Sequence, residues 1–338
     1  PCTLIDTAGF DDATELGEER LEKTRLAAEK TDIAIILLAD TDMDEELHWY
    51  EQFKEKKTPV IWVIGKADIR NDTEKINETL YQQTGQRAIV ISAATGDGMD
   101  QVRKDLVRNL PEQYGASSIL KELVTKGDLV MLVMPQDIQA PKGRLILPQV
   151  QTLRELLDKK CLVMSVTTDQ YVEALSHLTE APKLIITDSQ VFAYVYEHKP
   201  KKSMLTSFSV LFAAHKGDIE YYIEGANAIG KLNGESHVLI AECCTHAPLK
   251  EDIGREKIPK MLRKRYGENM TIDIVSGTDF PDDLQGYDLV IQCGGCMFNR
   301  KYIMSRIDHA KEQQIPMTNY GVVIAYLTGI LDKVVIPD

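Results

Sequence analysis

Short runs of apolar, β-branched residues alternate along this chain with longer amphipathic stretches, the pattern of βαβ units and mainly parallel sheets. CTLIDT, DIAIILLAD, PVIWVIGKAD and RAIVISA are the predicted strands of residues 2–93, and a helical stretch after them closes near NLPEQYGASS. A second block predicts strands in DLVMLVMP, CLVMSVTT and PKLIITD, with helices such as LPQVQTLRELLDKK between them. The basic, proline-containing EHKPKKS interrupts that block near residue 200, and helical sequence is expected from there to about residue 231. A third block predicts strands in SHVLIAECC, TIDIVSG, YDLVIQC and IPMTNYG. The simplest partition is three α/β domains over residues 1–117, 118–231 and 232–338, with no internal repeat carrying matching motifs.

Composition narrows the class. At 338 residues and 43% hydrophobic, the chain can bury two or three separate cores without disulfides or a structural metal. Its six cysteines, Cys2, Cys161, Cys243, Cys244, Cys293 and Cys296, are too few and too unevenly clustered for a secreted disulfide framework. No signal-peptide segment opens the chain, so the thiols read as reduced and the protein as cytoplasmic. The longest uninterrupted apolar run, Ile33 to Ala39, falls far below the roughly 20 residues of a membrane span, and no membrane partner is expected. Acidic residues outnumber basic ones 52 to 39, a net charge of −13, and no stretch interleaves Lys or Arg with aromatics. That balance argues against a nucleic-acid partner. The chain opens on Pro1, not Met, which reads as a fragment or as the ordered part of a longer protein.

The first block carries nucleotide-site chemistry. In LIDTAG, Asp6 ends an apolar run and Gly9 follows three residues on. An aspartate there can hold a Mg²⁺ water, and a glycine lets an N–H approach a terminal phosphate. VIGKAD resembles the guanine-reading N/TKxD motif, with Asp68 facing the base edge and Lys66 along the ring. ISAATGDG resembles the SAxxGxG loop, in which Ser92 and Ala93 border the base. The three motifs stand at successive strand ends in the order of a GTPase, so GTP and Mg²⁺ are expected ligands. There are departures. Gly65 replaces the usual Asn or Thr, and Phe10 stands where Ras-like enzymes carry a water-orienting Gln, which points to slow hydrolysis or to help from a monovalent cation such as K⁺. No GxxxxGKS/T loop occurs in these residues, so the fragment itself is expected to be inactive as a GTPase.

Soft ligands gather in the third block. Cys244 and His246 follow the run HVLIAE, and Cys293 and Cys296 follow VIQ. In a parallel sheet both stretches lie at the carboxyl edge, where such sheets place ligands. Reduced CxxC of this kind suits structural zinc on Cys244, His246, Cys293 and Cys296, a redox pair, or an iron–sulfur cluster on three cysteines. Cys161 reads as a core thiol, and Cys243 as packed on the face opposite Cys244 if the strand persists.

The stretches CTHAPLKEDIGREKIPK, QCGGCMFNRKYIMSRI and NYGVVIAYLTGIL resemble the cluster-binding domain of the [FeFe]-hydrogenase maturation GTPases (HydF). QAPKGRLILPQVQTLRELL and KLIITDSQVF resemble that family's dimerisation domain, and DTAGFDDATELGE its GTPase segment, so the resemblance covers essentially the whole chain. It implies a P-loop GTPase domain truncated here, a dimerisation domain and a Rossmann-like domain that binds a [4Fe–4S] cluster through Cys244, Cys293 and Cys296. His246 matches the family's CxH histidine. Gln292 stands where the family's second histidine usually lies, which leaves the fourth iron to His246, to a carboxylate or to a small molecule. The implied role is a homodimeric scaffold that receives a di-iron precursor from radical enzymes and passes it to the apo-hydrogenase, with GTP controlling partner association. The competing class is an RNA-modifying or ribosome-assembly GTPase with a structural zinc or iron–sulfur site.

The middle block adds little chemistry. Asp137, Lys142 and Arg144 in QDIQAPKGR read as a turn ahead of a helix in preference to an anion site, and the apolar TSFSVLFAAHK as dimer-interface material. His48, His177, His198, His215, His237 and His309 have no ligand-like spacing and read as surface or packed histidines.

Overall fold

All but the first of the predicted apolar runs fold into strands, and among the described residues every strand pair is parallel. The structure, a computed structural model, describes residues 3–7, 23–110, 118–135, 145–243, 252–296 and 298–337. The chain divides into two compact units, residues 1–116 and 117–338.

In the first unit a helix α1, described over residues 23–29, precedes β1 (Ala34–Leu38), α2 (Asp44–Glu55), β2 (Val60–Ile64), α3 (Thr73–Thr84), β3 (Ile89–Val90) and α4 (Met99–Arg108). The sheet order is β1-β2-β3. Central β2 is buried on both faces, as its uninterrupted apolar sequence requires. Trp62 and Ile64 pack with Trp49, Ile76 and Leu80, while Ile61 and Val63 pack with Val102. Residues 3–7, expected as a strand, have no regular structure, and Leu4 and Ile5 are 79% and 53% exposed. An apolar run becomes a strand only where a neighbour takes its N–H and C=O groups, and none of these three strands does.

The second unit carries two sheets. The first is built from β4 (Leu129–Val133), α5 (Leu147–Asp158), β5 (Leu162–Val166), α6 (Tyr171–Ser176), β6 (Leu184–Thr187), α7 (Phe192–His198) and β7 (Met204–Ser207), in the order β5-β4-β6-β7. Strand β7 corrects the expectation of uninterrupted helix after residue 200. Its four residues, MLTS, are too short and too polar to show a period. The chain continues through α8 (Phe208–Lys216), α9 (Ile219–Ile229), β8 (His237–Ala241), α10 (Ile258–Tyr266), β9 (Thr271–Val275), β10 (Leu289–Gln292), α11 (Arg300–Glu312), β11 (Met317–Asn319) and α12 (Tyr320–Leu327), with sheet order β11-β10-β8-β9.

Helix α8 ties the two sheets together. Phe208, Leu211 and Phe212 enter the core beneath one face of β4, Val210 the core on its other face, and Ala213 the core of the last sheet. This helix is therefore interior, not dimer-interface material, because its apolar residues face all round the axis and each finds a partner within the chain. Tyr222, Ala226 and Ile229 of α9 join the core of the last sheet. Beyond α12 the chain returns to the other sheet. Ile330 and Val334 pack beside Leu205 and Phe192, and Val335 N–H donates to Leu205 C=O at 2.8 Å along the β7 edge. Among the described residues no helix is long and apolar enough to cross a membrane.

Candidate functional sites

The nucleotide motifs fold as loops at the carboxyl ends of β2 and β3. After β2 the chain turns through Gly65 and through Lys66 at φ +61°, a left-handed conformation that non-glycine residues seldom adopt. Ala67 N–H then donates to Ile91 C=O at 3.0 Å, joining this loop to the end of β3. Ser92, 1% exposed, donates its hydroxyl to Asp68 Oδ1 at 2.6 Å and accepts Thr95 N–H at 3.2 Å. Its N–H goes to Asp97 C=O at 3.0 Å and its C=O accepts Gly96 N–H at 2.9 Å, so the loop closes on itself. Gly98 makes that closure possible. At φ +76°, a Cβ there would lie 2.2 Å from Val90 O and 2.9 Å from Ile91 Cγ2. Lys66, Asp68 and Ala93 are exposed at the sheet edge, so Asp68 is oriented by Ser92 yet open to a ligand. Asp6 is exposed in the irregular segment 3–7, and Gly9 lies outside the described residues.

The cysteine stretches follow β8 and β10, neighbours in the last sheet, with Gln292 registered against Ala241. Strand β8 ends at Ala241, two residues before Cys243, so the alternation argument for Cys243 does not reach it. Cys243 is nonetheless buried, at 1% exposure. Its N–H donates to Cys293 Sγ at 3.0 Å, and Arg306 Nη1 donates to its sulfur at 3.3 Å. Hydrogen bonding from Cys243 holds the Cys293 thiol below the ordinary thiol range against the effect of burial, and the Gly295 N–H and the Arg306 charge act in the same direction. Cys293 and Cys296 are partly exposed, while Cys244 and His246 lie outside the described residues. Among the described residues no three His, Cys, Asp or Glu side chains converge as a metal cage.

Several groups around these cysteines have no distinctive pattern in the sequence. Arg306, 2% exposed, lies between the rings of Phe280 and Tyr302, 4.8 Å from each, and its Nη2 reaches Gly277 O at 2.6 Å. Among the described residues it meets no carboxylate, and its Nε has no partner. Glu242, 5% exposed, is held by Arg255 Nε and Nη2 at 3.0 and 2.9 Å and by Ser276. Arg255 lies in the π-helical turn Ile253–Lys257, a local widening that often marks a functional site. Among the described residues Tyr320 Oη is buried without a partner, and its acidity is suppressed first by burial and then by the nearby Cys293. Gln292 is wholly buried and donates Nε2 to Tyr222 Oη at 3.2 Å. A thiol poised toward thiolate, an unpaired buried cation and an orphaned hydroxyl fit an anionic, thiolate-bound metal centre.

Residues 119–217 match the family described as the hydrogen maturase F dimerization domain, and residues 220–337 match the hydrogen maturase F tetramerization domain. The chain belongs to the hydrogen maturase F family. Its relatives among characterised proteins include the tRNA modification GTPase MnmE of Thermotoga maritima, 33% identical over 132 residues, which are 36% of this chain and 28% of that protein. GTPase Era of Alkaliphilus metalliredigens is 32% identical over 128 residues, covering 35% of this chain and 43% of Era. GTPase Der of Campylobacter hominis is 27% identical over 117 residues, covering 34% and 25%. The chain spans less than half the length of each. A hydrogen maturase F chain thus joins GTPase homology to two domains named for oligomerisation.

The remaining sequence expectations fall as follows. Cys161 is buried, donates its thiol to Thr125 O at 3.4 Å and is made less acidic by burial, as a core thiol should be. Asp137, Lys142 and Arg144 lie outside the described residues. His237 has an acidic partner that spacing hid, because Asp273 Oδ2, 2.8 Å from its Nε2, comes from the adjacent strand β9.

Proposed function

We propose that this protein is a scaffold and carrier in [FeFe]-hydrogenase maturation, in which Cys244, Cys293 and Cys296 hold a [4Fe–4S] cluster. The observation that carries the reading is the Cys293 sulfur, which accepts the Cys243 N–H at the carboxyl edge of the last sheet in a chain of this family. When bound, the cluster supplies an exchangeable coordination position for the di-iron cargo. Cys243 and Gly295 donate N–H groups to Cys293 and spread its negative charge. His246 offers a nitrogen that binds more weakly than thiolate and can yield the fourth position to cargo. Radical enzymes of the maturation system deliver the di-iron unit, and the apo-hydrogenase receives it. In the GTPase domain Asp68, oriented by Ser92, reads guanine, with Lys66 and Ala93 bordering the base and Asp6 and Gly9 serving Mg²⁺ and the terminal phosphate. GTP binding and hydrolysis, with K⁺ as a candidate activator, regulate partner association in a cytoplasmic homodimer. The three functional parts are residues 1–117, 118–231 and 232–338.

Iron and sulfide analysis with EPR on anaerobically prepared protein tests this. The expected result is about four iron atoms per chain, lost in Cys244→Ala, Cys293→Ala and Cys296→Ala and kept in Cys161→Ala and Cys243→Ala. One zinc per chain, or iron retained without Cys293, refutes it.

A further inference from the structure

Two cations cross between the end of α8 and the loop that follows β10. Lys216, the last residue of α8, donates Nζ to the main-chain oxygens of Gly295 at 3.1 Å, Cys296 at 3.0 Å and Phe298 at 2.8 Å. Arg300, the first residue of α11, donates Nη1 to the oxygens of His215 at 3.1 Å and Gly217 at 2.9 Å. A lysine in the last turn of a helix ordinarily stays in water or serves its own helix's unpaired carbonyls. Here Arg300 serves the end of α8, and the lysine is spent on a segment about eighty positions away.

That segment carries two adjacent glycines. Gly294 and Gly295 lack side chains, Gly295 sits at φ +57°, and a Cβ on it would lie 2.3 Å from Ile303 Cδ1. Further ties on the loop include the Cys243 N–H to Cys293 Sγ at 3.0 Å, the Cys293 N–H to Ala241 O at 3.0 Å, Phe298 N–H to Gly295 O at 3.1 Å and a long Asn319 Nδ2 contact to Cys293 O at 3.4 Å. An ammonium has three donors, and three carbonyls meet it. In a planar trans peptide the C=O and the following N–H point in opposite directions. Gathering the Gly295 and Phe298 oxygens on Lys216 therefore turns the N–H groups of Cys296 and Asn299 away from the lysine. Such an array of outward N–H groups favours negative charge.

We propose that Lys216 is the positioning residue of the Cys293–Cys296 loop, holding its backbone so that both sulfurs meet a metal cluster and adding a fixed positive charge beside it. The inference rests on the cluster reading above and deepens it. Lys216 acts through the loop; it is not a ligand. Because it extends from a helix whose Phe208, Val210, Leu211 and Phe212 are buried in the cores on either side of β4, the anchor is held at its base.

The test uses the whole chain, loaded anaerobically with iron and sulfide, as wild type, Lys216→Met and Lys216→Arg. Circular dichroism checks folding, a ferrous chelator measures iron release, and EPR-monitored titration gives the reduced:oxidised ratio of the cluster. Lys216→Met is expected to remain folded and to release iron at least about tenfold faster, the usual scale for loss of an outer-shell partner. At fixed potential its reduced fraction falls, and Lys216→Arg, which keeps the charge, recovers most of that fraction. A tenfold fall in the ratio would equal 59 mV for one electron. Folded Lys216→Met with wild-type iron release and a wild-type ratio overturns the proposal. Should wild type take up no iron, the cluster reading falls by itself. Hydrogen exchange at the Cys293–Cys296 amides of the metal-free protein then decides, with faster exchange in Lys216→Met supporting the positioning role and unchanged exchange refuting it. Lys216→Gln replaces the Met variant if that one does not accumulate, with the same outcomes expected.

Discussion

Gly98→Ala isolates the geometry that closes the SAATGDG loop. Two costs add. Holding alanine at φ +76° costs about 1–2 kcal/mol. Its Cβ would also stand 2.2 Å from the Val90 oxygen, a main-chain atom that cannot swing aside, and forcing that strand to move costs about 1–3 kcal/mol. The expected destabilisation is about 3 kcal/mol, or roughly 12 °C of melting temperature for a unit of this size. Gly96 is the control. It sits at φ +83°, but a Cβ there meets nothing within 4 Å, so Gly96→Ala pays only the conformational cost, near 1.5 kcal/mol and roughly 6 °C. The chain's two tryptophans, Trp49 and Trp62, both lie in the first unit and in one core, so tryptophan fluorescence on heating reports that unit alone. Equal melting shifts for the two variants would show that the Val90 contact is not what glycine 98 relieves. A shift below about 2 °C for Gly98→Ala would refute the whole account.

Arg255→Ala strands the buried Glu242 carboxylate and should lower the stability of the second unit by about 3 kcal/mol, whereas Arg255→Ala with Glu242→Gln recovers much of it; equal losses in far-UV circular dichroism melts would deny the pair. Burial alone would raise the Asp128 carboxyl, but Lys183 at 2.6 Å and the N–H and hydroxyl of Thr125 hold it below the ordinary carboxylate range. The unfolded chain therefore binds a proton first as pH falls, and the stability from this pair, present above about pH 4, is lost through the depressed value. Lys183→Met should lower stability at pH 7 by less than about 1 kcal/mol, since both side chains are partly exposed, and the difference should vanish in strong acid. A loss that persists unchanged at low pH would assign the effect to packing.

Most sheet strands, β7 apart, were legible because parallel strands buried on both faces leave long unbroken apolar signals, as in VIWVI and LVMLV. The nucleotide loops were legible for a different reason: Lys66, Asp68 and Ser92 stand at strand ends, where sequence position and spatial position coincide. What escaped depends on pairing across long separations. Nothing in IMSRIDH marks Arg306 as a buried cation beneath Cys243, because any helical arginine with that spacing would look the same. Lys216 in AAHKG reads as ordinary C-terminal helix charge until Gly295, Cys296 and Phe298 are brought to it. The reading of TSFSVLFAAHK as interface failed because an all-apolar helix reports burial without saying whether its cover comes from this chain or from a second copy.

The return of residues 330–336 to the β7 edge has a consequence for synthesis. Strands β4 to β7 leave the ribosome well before the segment that packs Ile330 and Val334 beside Leu205 and hydrogen-bonds Val335 to the strand. Throughout translation of the last sheet, β7 is an open edge with part of its core uncovered, the state in which parallel sheets are most prone to pair with the wrong chain. Folding of this sheet is thus timed by residues 330–336. Chains interrupted before residue 330 should collect as aggregates, while chains that include residues 330–336 escape that fate once this segment docks.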